Sequence, residues 1–258
     1  MLALYFIVLL QIILESLPIS SSGHIILLEN VIPAVNNLKF FLGLPCYKAL
    51  DHLLHLPTVF VFLIFIIFYL KESLNKFKIN YIRLISFIAL ADLTTVCIYF
   101  FKRNFTYMLP IWIGFIITLI INFFAYKEKD KSDFKLSFNK AILLGLAQGV
   151  AFLPGVSRLA ITFLMARFTG FLKEDALFIS LLMAIPLFIA GSTKGFICIM
   201  SSSHCYNYIF KMKFFISIIL ASLLAFLLLV CLKWLINHNK YWVLSIYMLV
   251  PILISIFL

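Results

Sequence analysis

Residues 10–24 read LQIILESLPISSSGH, and residues 147–158 read AQGVAFLPGVSR. In each stretch an apolar helical pattern containing a glutamine is interrupted at a proline, and a second apolar pattern starts a few positions later, just after a serine. Pro18 and Pro154 are 136 positions apart, and three longer apolar runs follow each of them. We interpret the two stretches as copies of one motif, so that the chain is built from an internal repeat.

The composition places the chain in a membrane. Of its 258 residues 64% are hydrophobic and 12% are charged, against roughly 25% charged residues in soluble domains. So few charges could not cover the surface of a soluble globule, and six apolar runs approach the ~20 residues that a spanning helix needs. The sequence therefore predicts an all-α polytopic membrane protein.

The net charge of +11 would suit nucleic-acid binding if the basic residues formed a patch. They lie instead in short clusters between apolar runs, as the positive-inside rule describes, so we expect membrane lipids and no nucleic acid as partners. Placing loops 71–83 and 127–140 in the cytoplasm puts twelve lysines and arginines there and six outside. This bias predicts that both termini lie outside.

Each half is predicted to hold a re-entrant hairpin of two half-length helices followed by three spans. Because each half then crosses the membrane an odd number of times, the second half enters from the opposite side, which gives an inverted-topology repeat. The first repeat covers 1–126, a cytoplasmic linker covers 127–140, and the second repeat covers 141–258. The hairpins are 1–33 and 141–171, and the spans are 50–70, 84–101, 105–126, 176–198, 214–234 and 241–258.

The hairpin breaks carry the residues that favour anion binding. Irregular backbone at membrane depth is tolerated where it lines a cavity, and the start of a helix presents free amides and a partial positive charge. Both second half-helices start beside serines, in segments 18–24 and 154–158, and the latter adds Arg158. The planar guanidinium suits phosphate oxygens, so the paired breaks predict a phosphate site near the midplane.

Other ionisable residues in apolar runs are functional candidates because their burial in lipid is costly. Gln11 and Glu15 are four apart and share a helical face, where they could bind a ligand or a metal ion. Asp51, His55 and Thr58 also share a face; support of a nearby site is favoured there over direct metal ligation. Asp92 is expected to hydrogen-bond within the helix bundle. Arg167 is near a predicted helix end, so its side chain is expected to extend to the membrane–water interface. The five cysteines lack a C-x-x-C pair and are expected to be small core residues.

At these positions the sequence resembles the bacterial undecaprenyl-diphosphate phosphatase (BacA/UppP) family across its whole length. The matching residues are Gln11, Glu15, Pro18, Ser20, Ser21, Gly23, His24, Asp51, His55, Thr58, Gln148, Pro154, Gly155, Ser157, Arg158 and Thr162. The resemblance implies a multi-pass phosphatase of the bacterial inner membrane whose active site opens to the outer face. It implies that the enzyme converts a C55 polyprenyl diphosphate to the monophosphate carrier of cell-wall synthesis. It also implies a divalent cation, such as Mg²⁺ or Ca²⁺, as a cofactor. A homodimer is compatible with the resemblance.

The residues receive roles from this resemblance and from their chemistry. The predicted catalytic residues are Glu15, Ser21, His24 and Arg158. The predicted phosphate-binding residues are Ser20, Ser22, Gly23, Gly155, Ser157, Arg158 and Thr162; Gln148, Asp51 and His55 are supporting residues, and Gln11 and Glu15 are the metal ligands. Ser21, His24 or a water molecule could be the nucleophile.

Three departures from the family pattern involve four positions. Gln11 stands where many relatives have glutamate, Leu159 and Ala160 replace Ser-Gly, and Pro57 replaces glycine. A transporter that moves a polyprenyl phosphate without cleaving it is the alternative function, since broken helices in inverted repeats are common in transporters.

Overall fold

The computed structural model of the protein describes residues 2–78, 81–103, 109–128 and 135–258. These ranges are helical and contain no strand, which confirms the predicted all-α class. The helices are α1 Leu2–Glu15, α2 Ser21–Val31, α3 Pro33–Leu42, α4 Leu44–Leu53, α5 His55–Tyr69, α6 Lys71–Lys78, α7 Tyr81–Arg103, α8 Ile111–Lys127, α9 Phe138–Val150, α10 Arg158–Phe168, α11 Lys173–Met200, α12 Ser203–Ile209, α13 Met212–Asn237, α14 Trp242–Tyr247 and α15 Leu249–Ile256.

Several helices are long and apolar enough to cross a membrane. In the described ranges four pass on length and composition: Leu44–Tyr69, Tyr81–Phe100, Lys173–Met200 and Met212–Asn237. Three further apolar helices are shorter: Leu2–Glu15, Ile111–Lys127 and Trp242–Ile256. These helices overlap all six predicted spans, and the protein is a multi-pass membrane protein.

The boundaries differ in places from the predicted ones. Residues 104–108, where the predicted span 105–126 begins, and residues 129–134 of the predicted linker lie outside the described residues. The predicted loop 71–83 contains α6, and the loop after α11 contains α12. Basic and polar composition identified these segments as lying between spans, but it did not show that they are helical.

Both predicted hairpin breaks coincide with gaps between helices. In the first hairpin α1 ends at Glu15 and α2 begins at Ser21, and in the second α9 ends at Val150 and α10 begins at Arg158. A further bend of 102° separates α2 from α3. Ile32 is extended there, as expected for a residue before proline, so the chain turns sharply after the first hairpin.

The hairpin helices of each half pack against helices of the other half. The first helix of each hairpin packs on the middle span of the other half: α1 on α13, and α9 on α7. The first spans of the two halves, α4–α5 and α11, pack against each other. This reciprocal pattern fits a repeat, whereas its inverted orientation in the membrane stays a prediction.

The expectation that the cysteines are small, unpaired core residues is wrong at four of the five positions. Cys46 on α4 and Cys205 on α12 form a disulfide with their Cα atoms 6.0 Å apart. The residues are 159 positions apart, so their proximity arises from the packing of α4 and α12 against α11. Cys97, Cys198 and Cys231 are free; Cys97 and Cys231 are exposed and therefore not core residues, and Cys198 is half-buried.

The second hairpin turn lies directly against α8. Gly155 has a φ of +84°, a conformation that favours glycine, and a Cβ atom on Gly114 would overlap the carbonyl of Pro154. The absence of a side chain at Gly114 therefore lets α8 and the turn approach each other.

We expect Gly114→Ala to lower the stability of the purified protein by about 1–3 kcal/mol through overpacking. Gly191→Ala is the matched control, because its Cβ would meet the nearest atom at 3.6 Å, an ordinary contact. Thermal unfolding in detergent measures both variants. Equal melting temperatures for the two would contradict the close packing at Gly114.

Candidate active site

A cavity of about 220 Å³ lies where the two hairpin turns meet α4, α5 and α11. Most of the residues that the sequence singled out line it. Its polar and charged lining residues are Gln11, Glu15, Ser20, Ser21, Ser22, Asp51, His52, His55, Ser157 and Arg158. The remaining lining residues are apolar and include Phe62, Phe152 and Phe188.

Glu15 is the centre of the hydrogen-bond network in this cavity. Its Oε2 atom accepts a hydrogen bond from Ser21 Oγ at 2.6 Å and one from Gln11 Nε2 at 3.3 Å. His55 Nδ1 lies 3.5 Å from the same oxygen. The last residue of α1 thus holds the first residue of α2, and Glu15 is placed to take a proton from the Ser21 hydroxyl.

The start of α2 presents unpaired amides to the cavity. Ser20 is the N-cap, with a φ of 68°, and its Oγ atom accepts from the Gly23 amide at 3.3 Å. The first intrahelical bond runs from the His24 amide to Ser20 O. The amides of Ser21 and Ser22 precede that bond and remain available to an anion, because a helix cannot satisfy its own first amides.

The start of α10 repeats this arrangement. Ser157 is the N-cap, and its Oγ atom accepts from the Ala160 amide at 3.3 Å. The first intrahelical bond runs from the Ile161 amide to Ser157 O, so the amides of Arg158 and Leu159 correspond to those at the start of α2. Two helix starts therefore direct partial positive charge toward one cavity.

Helix α8 ties both hairpin turns together. Thr118 Oγ1 donates to Gly155 O at 2.7 Å and accepts from the Ser157 amide at 3.0 Å. One helical turn later Asn122 Nδ2 donates to Pro18 O at 2.9 Å. Sequence analysis missed both residues, although two polar residues four apart in an apolar run give a signal that they share a buried face.

Arg158 extends into the cavity beside an aromatic ring. The carbon of its guanidinium lies 4.8 Å from the centre of the Phe188 ring, and Phe188 also stacks on His55 with the ring centres 4.6 Å apart. The Nη1 atom of Arg158 is buried without a hydrogen-bond partner among the described residues. Phe188 therefore orients two site residues, and the unpaired donor is available to a phosphate oxygen.

His24 has a different position from the one its predicted role suggests. Its Nδ1 atom lies 2.8 Å from Ser20 O, and because a carbonyl only accepts, Nδ1 carries a proton. The neutral ring then accepts from the Tyr247 hydroxyl through Nε2 at 3.0 Å. The ring is packed between Phe115 and Tyr247 and does not line the cavity. Its catalytic role stays a prediction.

The other predicted residues lie in the walls around the cavity. Gln148 donates to Asp92 at 3.1 Å, which ties α9 to α7. Thr162 Oγ1 donates to Arg158 O at 2.9 Å. Gly23 packs so closely on Gly155 that an added Cβ would lie 2.9 Å from the Gly155 Cα atom. These residues shape the site without contacting the space inside it.

Arg167 does not reach the membrane interface as expected. Its side chain is buried and donates to the carbonyls of Phe171 at 2.8 Å and Glu128 at 2.9 Å. Carbonyls at the end of α10 and after α8 take the guanidinium hydrogen bonds, so Arg167 holds the two helix ends together. Of these two arginines in the second hairpin, Arg158 alone lines the cavity.

His52 is the lining residue that sequence analysis overlooked. Together with Asp51 and His55 it forms a group whose potential ligand atoms all lie within 4.8 Å of one another. The spacing of three residues between His52 and His55 was a signal that both could share a helical face.

A bundle of apolar helices around a cavity that is lined by two helix starts and an arginine defines a multi-pass membrane protein with an internal polar cavity. The chain matches the family described as "Bacitracin resistance protein BacA" over residues 5–254, and it belongs to that family.

Three relatives named undecaprenyl-diphosphatase show the degree of similarity. The protein from Carboxydothermus hydrogenoformans is 34% identical over 71% of this chain and 69% of its own length. The protein from Thermosipho africanus is 31% identical over 71% and 73%, and the one from Aliivibrio salmonicida is 31% identical over 74% of each chain.

Proposed function

We propose that this chain hydrolyses undecaprenyl diphosphate to undecaprenyl phosphate and inorganic phosphate, which returns the lipid carrier to cell-wall synthesis. Membership of the family and relatives named undecaprenyl-diphosphatase support this function. The observation that carries it in the structure is the hydrogen bond from Ser21 to Glu15 in the same cavity as Arg158. The cavity thereby combines a nucleophile, Ser21, with a base, Glu15, and a cationic side chain that binds phosphate, Arg158.

Anion binding is the first part of the mechanism. The terminal phosphoryl group would accept hydrogen bonds from the Arg158 guanidinium and from the amides at the starts of α2 and α10. Donors fixed before the substrate arrives stabilise the charge of the transition state without reorganisation. The apolar helices around the cavity would hold the prenyl chain in the lipid phase while the head group enters.

Phosphoryl transfer is the second part. Ser21 Oγ would attack the terminal phosphorus while Glu15 takes its proton, and the bond from that phosphorus to the bridging oxygen would break, releasing undecaprenyl phosphate. Glu15 would pass this proton to an oxygen of the departing undecaprenyl phosphate. A water molecule would then attack the phosphorus of the phosphoserine while Glu15 takes a proton from the water. The bond from Ser21 Oγ to phosphorus would break, and Glu15 would return the proton to Oγ as inorganic phosphate leaves. Direct attack by His24, or by water without a phosphoenzyme, is the alternative; His24 would first have to leave Tyr247.

A divalent cation such as Mg²⁺ or Ca²⁺ is proposed as a cofactor. Gln11 Oε1 is buried without a hydrogen-bond partner among the described residues, and the Glu15 carboxylate is adjacent. Oxygen ligands suit hard cations, which also keep several waters. Gln11 and Glu15 would hold such an ion, and its charge would offset that of the diphosphate.

Release of phosphate from a short-chain prenyl diphosphate by purified protein tests the function. We expect stoichiometric production of phosphate and prenyl monophosphate. A transporter would bind the lipid without producing phosphate, so binding with no release would support that alternative.

The location of the site relative to the membrane is a further part of the proposal. We propose that the chain lies in the bacterial inner membrane with both termini outside and the cavity open to the outer face. The disulfide between Cys46 and Cys205 supports this orientation, because disulfides persist in oxidising compartments, which lie outside the inner membrane. Cys46 is five residues before the cavity residue Asp51 on α4, so the cavity lies near the end of α4 that carries the disulfide. We also propose a homodimer, which a measurement of the mass of the protein in detergent tests.

Cysteine labelling tests the orientation. In a background with Cys97, Cys198 and Cys231 replaced by serine, Ser202→Cys should react with a membrane-impermeant maleimide on intact cells, whereas Ser132→Cys should react only after the cells are opened. Ser132 lies outside the described residues. Equal labelling of the two positions in intact cells would contradict the arrangement.

A further inference from the structure

We propose that Asp51, His52 and His55 bind one first-row transition cation, such as Zn²⁺ or Mn²⁺, in the wall of the cavity formed by α4 and α5. This site is separate from the Gln11–Glu15 pair. The two imidazoles distinguish it, because nitrogen ligands suit transition cations whereas Mg²⁺ and Ca²⁺ favour oxygen.

The geometry brings the three side chains together from a broken helix. Asp51 and His52 lie in the last turn of α4, and His55 is the first residue of α5. Their potential ligand atoms lie within 4.8 Å of one another. Ligand atoms about 2.1 Å from a tetrahedral ion lie about 3.4 Å apart, so the three side chains would have to close by about an ångström to bind one ion.

The space beside the two imidazoles is kept open by α11. A Cβ atom added to Gly191 would lie 3.6 Å from His55 Cδ2 and 3.9 Å from His52 Nδ1, so the glycine leaves room next to both rings. His55 Nδ1 is buried without a hydrogen-bond partner among the described residues. This nitrogen is therefore free to donate to the nearby Glu15 carboxylate, which would leave Nε2 to bind the cation.

The neighbouring residues fix the orientation of His55. Its ring stacks on Phe188 at an interplanar angle of 9°, and its Nδ1 atom is 3.5 Å from Glu15 Oε2. A carboxylate beside one ring nitrogen is the arrangement that orients a histidine whose other nitrogen binds a metal. Glu15 would then connect the cation site to Ser21, because it also accepts the hydrogen bond of the Ser21 hydroxyl.

A cation at this site would neutralise negative charge in the wall of the cavity. Counted formally, with both carboxylates ionised and both histidines neutral, the lining residues Glu15, Asp51 and Arg158 give the wall a net charge of about −1. A diphosphate brings further negative charge and would be repelled. One divalent cation held by these three residues would raise this formal charge to about +1 and would supply a Lewis acid beside the substrate oxygens.

Binding of Co²⁺ alone to tag-free protein in detergent tests the site without any turnover. We expect one Co²⁺ per chain with visible absorption bands that report nitrogen ligands, and competition by Zn²⁺ but not by millimolar Mg²⁺. His52→Gln and His55→Gln should each weaken Co²⁺ binding at least about 100-fold. His204→Gln, which changes an exposed histidine, should bind as the unaltered protein does.

Two further variants separate this site from the other pair. Asp51→Asn should also weaken Co²⁺ binding, whereas Gln11→Ala should leave it unchanged. The proposal is overturned if the unaltered protein binds no Co²⁺, if His52→Gln binds it normally while keeping its melting temperature, or if Gln11→Ala alone abolishes binding. None of these measurements depends on phosphate release. The metal-site proposal can therefore be contradicted while the phosphatase function is supported, and the phosphatase function can be contradicted while the metal site is supported.

Discussion

Replacing Arg158 by alanine is expected to lower kcat/KM for a prenyl diphosphate by a factor of several hundred, about 3–4 kcal/mol of transition-state stabilisation. The guanidinium has a buried, unpaired Nη1 atom, and its stacking on Phe188 fixes its direction. Loss of the side chain would remove the strongest donor to the phosphoryl oxygens. Initial rates of phosphate release at several substrate concentrations measure the effect.

Arg158→Lys should recover only part of this loss, because lysine keeps the charge but lacks the planar pair of donors. Arg83→Ala is the matched control: Arg83 is exposed on α7, and the same substitution there should leave the rate unchanged. Melting temperatures show whether each variant folds. If folded Arg158→Ala turned over at the unaltered rate, this residue would have no part in binding the diphosphate.

Replacing Ser21 by alanine is expected to abolish turnover, by a factor of at least about 10³, because the Oγ atom that attacks phosphorus is gone. Quenching the unaltered enzyme during a reaction with substrate labelled in its terminal phosphate should trap a phosphoserine that survives acid and is lost in alkali. Ser201→Ala, a change at an exposed serine on the end of α11, should retain full activity and the label.

The three nucleophiles give different outcomes in the same experiment. Attack by His24 would give an acid-labile phosphate that disappears in His24→Gln. Direct attack by water would give no label, and Ser21→Ala would keep substantial activity. Glu15→Gln should resemble Ser21→Ala if Glu15 is the base, since an amide cannot accept the serine proton. A labelled, fully active Ser21→Ala enzyme would exclude the serine mechanism.

Local sequence determined the parts of the site that lie on the hairpins. Pro18 and Pro154 interrupt apolar helices, and a serine next to each restart can cap a helix, so the two helix starts at the cavity could be predicted together with Arg158. Glu15 could be placed near them because a turn of only five residues separates α1 from α2. The spacing alone was enough to bring Glu15 into reach of Ser21.

Residues that depend on distant packing could not be predicted. The partner of His24 is Tyr247, which is 223 positions away, and no local pattern connects them. Phe188 is one of many phenylalanines in apolar runs, and its contact with Arg158 follows only from the packing of α11 on α10. The disulfide likewise depends on α12, a helix inside a segment whose composition predicted a loop.

The exchanged packing of the hairpin helices sets an order for assembly during synthesis. The partner of α9 is α7, which is already in the membrane when α9 emerges from the ribosome, so this pair can form at once. The partner of α1 is α13, which begins at Met212, so α1 must wait while some two hundred residues are made. The wall that carries Glu15 and Ser21 is therefore among the last parts to be completed, and a chain released before α13 would hold one finished hairpin and one without its support.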